Sequence, residues 1–203
     1  MTIPQVVVFD LGKVLLDFDY AKAARRLAAH TALSPEGIRE AIDQSHLHIG
    51  FETGHVTRDA FIKEAMDVTG FMGGVDEFTQ IFCEIFEPIQ PMIELQSSIQ
   101  KRGIPTFIFS NTNTLQLEYI RRTYPFFGGF NGYILSYEHG AMKPQAKLYE
   151  VVERETRRSG GQILYIDDSA ENIAAGATRG WQVILQETPE KTRVALEQTG
   201  LLN

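Results

Sequence analysis

The stretch VVVFDLGKVLLDFD, Val6 to Asp19, sets the architecture of the chain. Its first four residues form an unbroken β-branched and aromatic run, the pattern of a strand buried on both faces, and the run stops at the polar break Asp10-Leu11-Gly12. Further runs of the same kind follow: Ile104 to Phe109, ending at Ser110-Asn111; Tyr133 to Leu135; Ile163 to Ile166, ending at Asp167-Asp168; and Trp181 to Leu185. Helix-period segments lie between them. Met92 to Arg102 stops at Gly103, Leu115 to Arg122 precedes Pro125, Lys147 to Arg158 precedes Gly160-Gly161, and Glu171 to Arg179 precedes Gly180. Strands alternating with helices of this length require right-handed βαβ crossovers. The expected fold is therefore α/β, a doubly wound, mostly parallel Rossmann-like sheet of five strands or more.

From Asp17 to Gln90 the alternation stops. This segment shows no convincing strand but several amphipathic helices. Ser34-Pro35-Glu36 supplies an N-cap, an N1 proline and a first-turn acid, followed by apolar Ile38, Ala41, Ile42 and Ile49. Phe61, Ile62, Ala65 and Met66 make a second stripe; Phe78, Ile81, Phe82, Ile85 and Phe86 make a third. The expected organisation is a core domain of residues 1–16 and 91–203, with residues 17–90 forming a helical cap inserted after the first strand. Thr188-Pro189-Glu190 starts a final surface helix.

The 203 residues carry 19 Lys+Arg against 26 Asp+Glu, a net charge of −7. That balance argues against binding a nucleic-acid backbone, which needs a basic surface. No apolar run approaches the roughly 20 residues needed to span a bilayer, and the N-terminus lacks a basic leader. Cys83, the one cysteine, lies in an apolar run and reads as a small core residue of a cytoplasmic protein. Either a monomer or a homodimer is compatible with the sequence.

Asp10, Ser110-Asn111 and Asp167-Asp168 stand at the C-terminal ends of three expected strands, the edge at which open α/β sheets bind ligands. Each has an ordinary reading as a turn or helix-capping residue. Brought together, three carboxylates repel one another unless a cation sits among them, and an all-oxygen donor set selects Mg2+. Lys143-Pro144 alone is an ordinary loop lysine before a helix.

In order along the chain these parts are a strand with Asp10, a helical insert, a strand with Ser110-Asn111, Lys143-Pro144, and a strand with Asp167-Asp168 followed by Asn172. This order resembles the haloacid-dehalogenase-like (HAD) superfamily over nearly the whole chain. VVVFDLGKVLLDFD, FSNTN, MKP and YIDDSAENI are most similar to its sugar-1-phosphate phosphatase branch. The resemblance implies a Mg2+-dependent phosphatase acting on a small phosphorylated metabolite, with Asp10 attacking phosphorus to form an aspartyl-phosphate. By the same carry-over the carboxylates of Asp10 and Asp168 and the carbonyl of Gly12 hold the metal. Ser110, Asn111 and Lys143 bind the phosphate, with Ser110 and Lys143 also serving catalysis, while Asp167 and Asn172 orient their neighbours. A divalent ion and a lysine inside a cleft also reconcile an anionic substrate with the net negative chain.

One position departs from the superfamily's usual pattern: its phosphatases carry a second aspartate two residues after the nucleophile, as general acid and base, where this chain has Gly12. Such a group contributes about 10² to 10⁴ in rate. One reading restricts the enzyme to good leaving groups such as an anomeric hydroxyl, with Asp17, Asp19 or a cap residue as candidate substitutes, although Asp17 and Asp19 fit the linker to the cap better. A second makes the chain a catalytically silent metal- and phosphate-binding module. A dehalogenase-type hydrolase also lacks the second aspartate, but has no use for the Asp167-Asp168 pair. His46 and His48, two apart, point to different sides of a helix, so a shared metal is not expected, though either can face the cleft. Gly50 to Gly54 reads as a turn resembling the family's cap loop.

Overall fold

The computed structural model describes residues 3–44 and 46–202, and for residues 43 and 44 the backbone alone. Its sheet consists of β1 (Val6–Phe9), β4 (Thr106–Ser110), β5 (Gly132–Leu135), β6 (Ile163–Asp167) and β7 (Gln182–Leu185), in the order β5-β4-β1-β6-β7. Every pairing in it is parallel, with Phe9 beside Ile108 on one side and Ile166 on the other. The doubly wound five-stranded sheet expected from the sequence is thus the fold observed. The continuous apolar run of β1 is explained by its central place: Val7 and Phe9 pack under the helices α6 (Gln90–Lys101) and α11 (Pro189–Gln198), against Leu95, Ile99 and Leu196. Val6 and Val8 face the opposite layer, with Phe109, Tyr149, Tyr165 and Trp181. Full burial of each such side chain stabilises the fold by roughly 1.5–3 kcal/mol.

On that second face lie α9 (Ala146–Thr156) and α10 (Ala170–Thr178), while α7 (Thr114–Thr123) follows β4 and the short α8 (Ser136–His139) follows β5. Glu153 of α9 binds Arg179 through Nε at 3.0 Å and Nη2 at 2.6 Å, and Trp181 Nε1 at 3.0 Å, tying the two helices to β7.

Between the first strand and α6 stand α1 (Tyr20–Leu27), α2 (Pro35–Gln44), α3 (Leu47–Glu52), α4 (Arg58–Thr69) and α5 (Val75–Cys83). They enclose a core of their own, in which Phe51 stacks on Phe61 at 4.3 Å and Phe61 meets Phe82 at 5.2 Å. Ser34 accepts from the Gly37 amide at 3.2 Å and Thr57 from the Ala60 amide, so both helix starts are capped by side chains.

Two expectations fail here. The insert region is not strand-free: β2 (Leu16–Phe18) and β3 (Phe86–Pro88) form an antiparallel pair where the chain leaves and returns. Three-residue strands are too short to show a period, and only their mutual pairing defines them. Ile49 does not continue the apolar face of Ile38; it is 55% exposed, because His46, at φ 53°, breaks the helix and resets its phase. Cys83 is buried as expected, with its thiol pushed up to about 12 by that burial, which leaves it inert.

Candidate active site

Strand register assembles the site. The Asp10 amide donates to Ile166 O at 2.9 Å, which sets Asp10 directly beside the end of β6, and Ser110 closes β4 on the other side. Lys143 reaches this edge from the loop before α9. Its Nζ lies 2.9 Å from Asp10 Oδ1 and 2.7 Å from Asp167 Oδ2, and donates to Phe109 O at 3.0 Å. An ammonium with three acceptors is fully satisfied, which is what allows it to be buried. Burial alone would lower its pKa, but the charges of Asp10 and Asp167 outweigh that and hold it protonated.

Asp167 is wholly buried and saturated. Besides Lys143 it accepts from the Tyr165 hydroxyl, from the Ser169 amide at 2.8 Å, and from Asn172 Nδ2 at 3.1 and 3.3 Å. Burial pushes its carboxyl up, but the Lys143 charge and these donors more than reverse the effect, so it stays ionised. Its geometry is that of a group that orients Lys143. Tyr165 has no motif to announce it; its only signal is that it stands two residues before Asp167 and so shares a strand face with it.

Asp10 has fewer donors: the Leu11 amide at 2.6 Å and Lys143. Burial raises its carboxyl from 3.8 to about 7, with Lys143 opposing and Asp167 reinforcing the rise. Asp168 is also raised, by partial burial and then by neighbouring Asp167. Carboxylate oxygens of Asp10, Asp167 and Asp168 lie within 4.8 Å of one another. Because Asp167 is consumed by its donors, the residues able to hold a cation are Asp10 and Asp168, with Gly12 on the same cleft wall. Two carboxylates and a backbone carbonyl form an oxygen-only set that fits Mg2+, which keeps several waters and takes one or two carboxylates.

Ser110 is buried at the cleft, just before the N-terminus of α7, with its Oγ donating to Asn111 O at 3.2 Å. Asn111 lines the cleft too, but its carboxamide is engaged: Oδ1 accepts from the Lys143 amide at 2.8 Å and Nδ2 donates to Lys143 O at 3.2 Å. It braces the lysine's backbone.

The cleft, of about 250 Å3, is closed from the insert side by Phe18 and Tyr20, which the sequence did not single out, together with His48 and with Glu52 of the expected Gly50 to Gly54 turn. His48 faces the cleft, whereas His46 is exposed outside it. The expected turn over Gly50 to Gly54 is the last turn of α3 with its cap: Glu52 is helical and buried, and Gly54, at φ 72°, lets the chain pass against the Tyr137 carbonyl. Asp17 pairs with Lys13 and Asp19 caps α1, accepting from the Ala21 amide at 2.8 Å, so both serve the linker.

Comparison with known proteins gives a consistent picture. A family model described as a haloacid dehalogenase-like hydrolase matches residues 4–180. A D-ribitol-5-phosphate phosphatase from Bacteroides thetaiotaomicron is 22% identical, covering 97% of this chain and 98% of its own. A sesquiterpene phosphatase from Aspergillus oryzae is 22% identical over 87% of this chain and 86% of its own. The solved structure of a HAD family enzyme of B. thetaiotaomicron, in complex with magnesium and inorganic phosphate, superposes with a TM-score of 0.80 at 18% identity, covering 91% and 96% of the two chains, a likeness of fold. The first of these relatives is named for a sugar-alcohol 5-phosphate, so the superfamily expected from the sequence stands while the sugar-1-phosphate branch is not what the relatives' names carry. With the matched model spanning most of its length, the chain belongs to the haloacid dehalogenase-like hydrolases.

Proposed function

We propose that the chain is a Mg2+-dependent phosphatase that hydrolyses a small phosphorylated metabolite, a sugar phosphate such as a sugar-1-phosphate, through an aspartyl-phosphate on Asp10. One observation carries the reading: a buried lysine bridging Asp10 and Asp167 at 2.9 and 2.7 Å, with Asp168 and Ser110 on the same sheet edge. Such a set has no structural rationale, since a buried ion cluster is at best neutral for stability against apolar packing. In a phosphatase every member has work. Two relatives named as phosphatases support the same reading.

In this mechanism Asp10 Oδ attacks phosphorus, and the P–O bond to the leaving group breaks. Lys143 neutralises nucleophile and phosphoryl oxygens together, and Ser110 with the adjoining backbone amides holds those oxygens. Asp167 and Asn172 keep Lys143 in place. Held by Asp10, Asp168 and the Gly12 carbonyl, Mg2+ would supply positive charge that keeps Asp10 ionised and offsets charge on the phosphoryl group. Water then attacks the aspartyl-phosphate, releasing inorganic phosphate and regenerating the carboxylate. In domain terms, residues 1–16 and 91–203 form the core and residues 17–90 the cap. A cytoplasmic setting fits the lone buried cysteine. The cleft volume of about 250 Å3 suits a metabolite rather than a polymer.

The test is a panel of phosphorylated metabolites and p-nitrophenyl phosphate, assayed with and without Mg2+, on the wild type and on Asp10→Asn. Mg2+-dependent phosphate release that vanishes in the variant is expected. Phosphate and metal binding with no turnover of any substrate would favour the silent module, and halide release from a 2-haloacid the dehalogenase.

A further inference from the structure

Glu52 is a buried carboxylate on the cleft wall that the mechanism above does not use. Its side chain is only 8% exposed and lines the cleft, yet among the described residues no donor is aligned on it. The His48 ring comes within 3.2 Å of Oε1, but out of line for a hydrogen bond. Glu52 stands outside the cluster of Asp10, Asp167 and Asp168, so it is not placed to share their cation, and as an anion it cannot hold phosphoryl oxygens. A buried carboxylate without donors costs free energy. The donors left to supply it are those of the organic part of a bound phosphate ester.

The backbone that carries Glu52 is gripped on both sides. Phe51 stacks on Phe61 at 4.3 Å, Thr53 Oγ1 donates to Ile49 O at 2.7 Å, and Val56 packs so close to Gly50 that a Cβ there would stand 2.6 Å from its Cγ2. Much of the same cleft wall is aromatic, formed by Phe18, Tyr20 and Phe86. Phe18 lies edge-on to Tyr20 at 5.1 Å and to Phe86 at 6.2 Å. It can approach because position 12 is glycine, where a Cβ would stand 2.8 Å from Phe18 Cε1. An apolar wall with one buried acceptor suits a polyhydroxylated carbon skeleton, whose C–H groups pack on rings and whose hydroxyls donate. An ammonium could also satisfy the carboxylate, but Lys13 Nζ lines the cleft and already lies over the Phe18 ring at 4.6 Å, where it would repel a second cation.

Resting on the phosphatase reading above, we propose that Glu52 is the specificity-determining residue of the cleft, accepting hydrogen bonds from hydroxyl groups of the leaving group while Phe18, Tyr20 and Phe86 pack against its C–H groups. The substrates selected are phosphates of polyhydroxylated alcohols. Apolar and aminoalkyl phosphates of similar size are discriminated against, because an ester without hydroxyls leaves the buried carboxylate without donors in the closed cleft.

The experiment measures kcat and KM for the best substrate in a panel of aldose and polyol phosphates, for its monodeoxy analogues, and for cyclohexyl phosphate, whose ring has no hydroxyl. Glu52→Gln is expected to lower kcat/KM on the hydroxylated substrate by about ten- to a hundredfold more than on cyclohexyl phosphate, chiefly through KM. In the wild type at least one monodeoxy analogue should lose a comparable factor, and in Glu52→Gln that same deletion should cost little, because its partner is already gone. Equal losses on the two kinds of substrate, as misfolding or a merely structural role would give, or additive effects of variant and deoxygenation, would overturn the assignment. The wild type decides the matter even if the variant does not fold: no deoxy analogue losing tenfold, or activity on p-nitrophenyl, cyclohexyl or aminoethyl phosphate but on no hydroxylated ester, overturns it as well. Wild-type protein without Mg2+-dependent activity on p-nitrophenyl phosphate or any other ester would instead remove the phosphatase reading on which it rests.

Discussion

Asp10→Asn should make the metal-free protein more stable, and increasingly so as pH rises. In the folded chain the Asp10 carboxyl titrates at about 7 instead of 3.8, because burial outweighs the attraction of Lys143. Below pH 3.8 the group is protonated whether the chain is folded or not, and it contributes nothing to pH dependence. Between there and about 7 the unfolded chain has released a proton that the folded chain still holds, so stability falls as pH rises and levels off above the folded value. At roughly 1.4 kcal/mol per pH unit, the whole range amounts to a destabilisation on the order of 4 kcal/mol. Asparagine keeps the shape and has no proton to exchange. Urea unfolding in EDTA at intervals from pH 4 to pH 8 should therefore show the two stability curves separating, with the variant gaining. Mg2+ that binds the ionised carboxylate should also release a proton from wild type near pH 7, seen as a buffer-dependent calorimetric heat that Asp10→Asn lacks. Parallel stability curves, or equal proton release, would refute this account of the site as a strained anion held ready for a cation.

Lys143→Met leaves Asp10 and Asp167 buried without their shared counter-charge, so it should cost about 3–5 kcal/mol in unfolding free energy and, with a phosphate-neutralising charge gone, about 10² or more in kcat; a well-folded, active variant would contradict the bridging role. Asp168→Asn should weaken Mg2+ binding by about tenfold or more, measured calorimetrically, while moving the midpoint of unfolding in EDTA little, because this residue is exposed. Gly12→Asp should destabilise by about 1–3 kcal/mol through overpacking against Phe18, and Phe18→Ala in the same chain should recover part of that loss; additive effects in the double variant would show that the ring does not fill the position.

The two halves of the cleft were unequally legible in the sequence, for a physical reason. Asp10, Ser110, Asp167 and Asp168 end strands whose apolar runs are long enough to read, and parallel register brings strand ends to one edge whatever else the chain does. Sheet order was not written in any one run, and the polar endings were brought to one site only through the family resemblance that their order along the chain carries. The leaving-group side has no such guide. Phe18 and Phe86 belong to three-residue strands that exist only by pairing across nearly seventy residues of insert. Glu52 read as part of a turn because α3 is six residues long and begins at a phase break no propensity marks. Gly12 is where the two halves meet: one-dimensionally it is a lost aspartate, while in the fold its side-chain volume is taken by a ring eighteen residues into the chain. An aspartate restored at position 12 alone must therefore displace the Phe18 ring, which is why the double variant with Phe18→Ala, and not the single substitution, tests whether that ring is what holds the position.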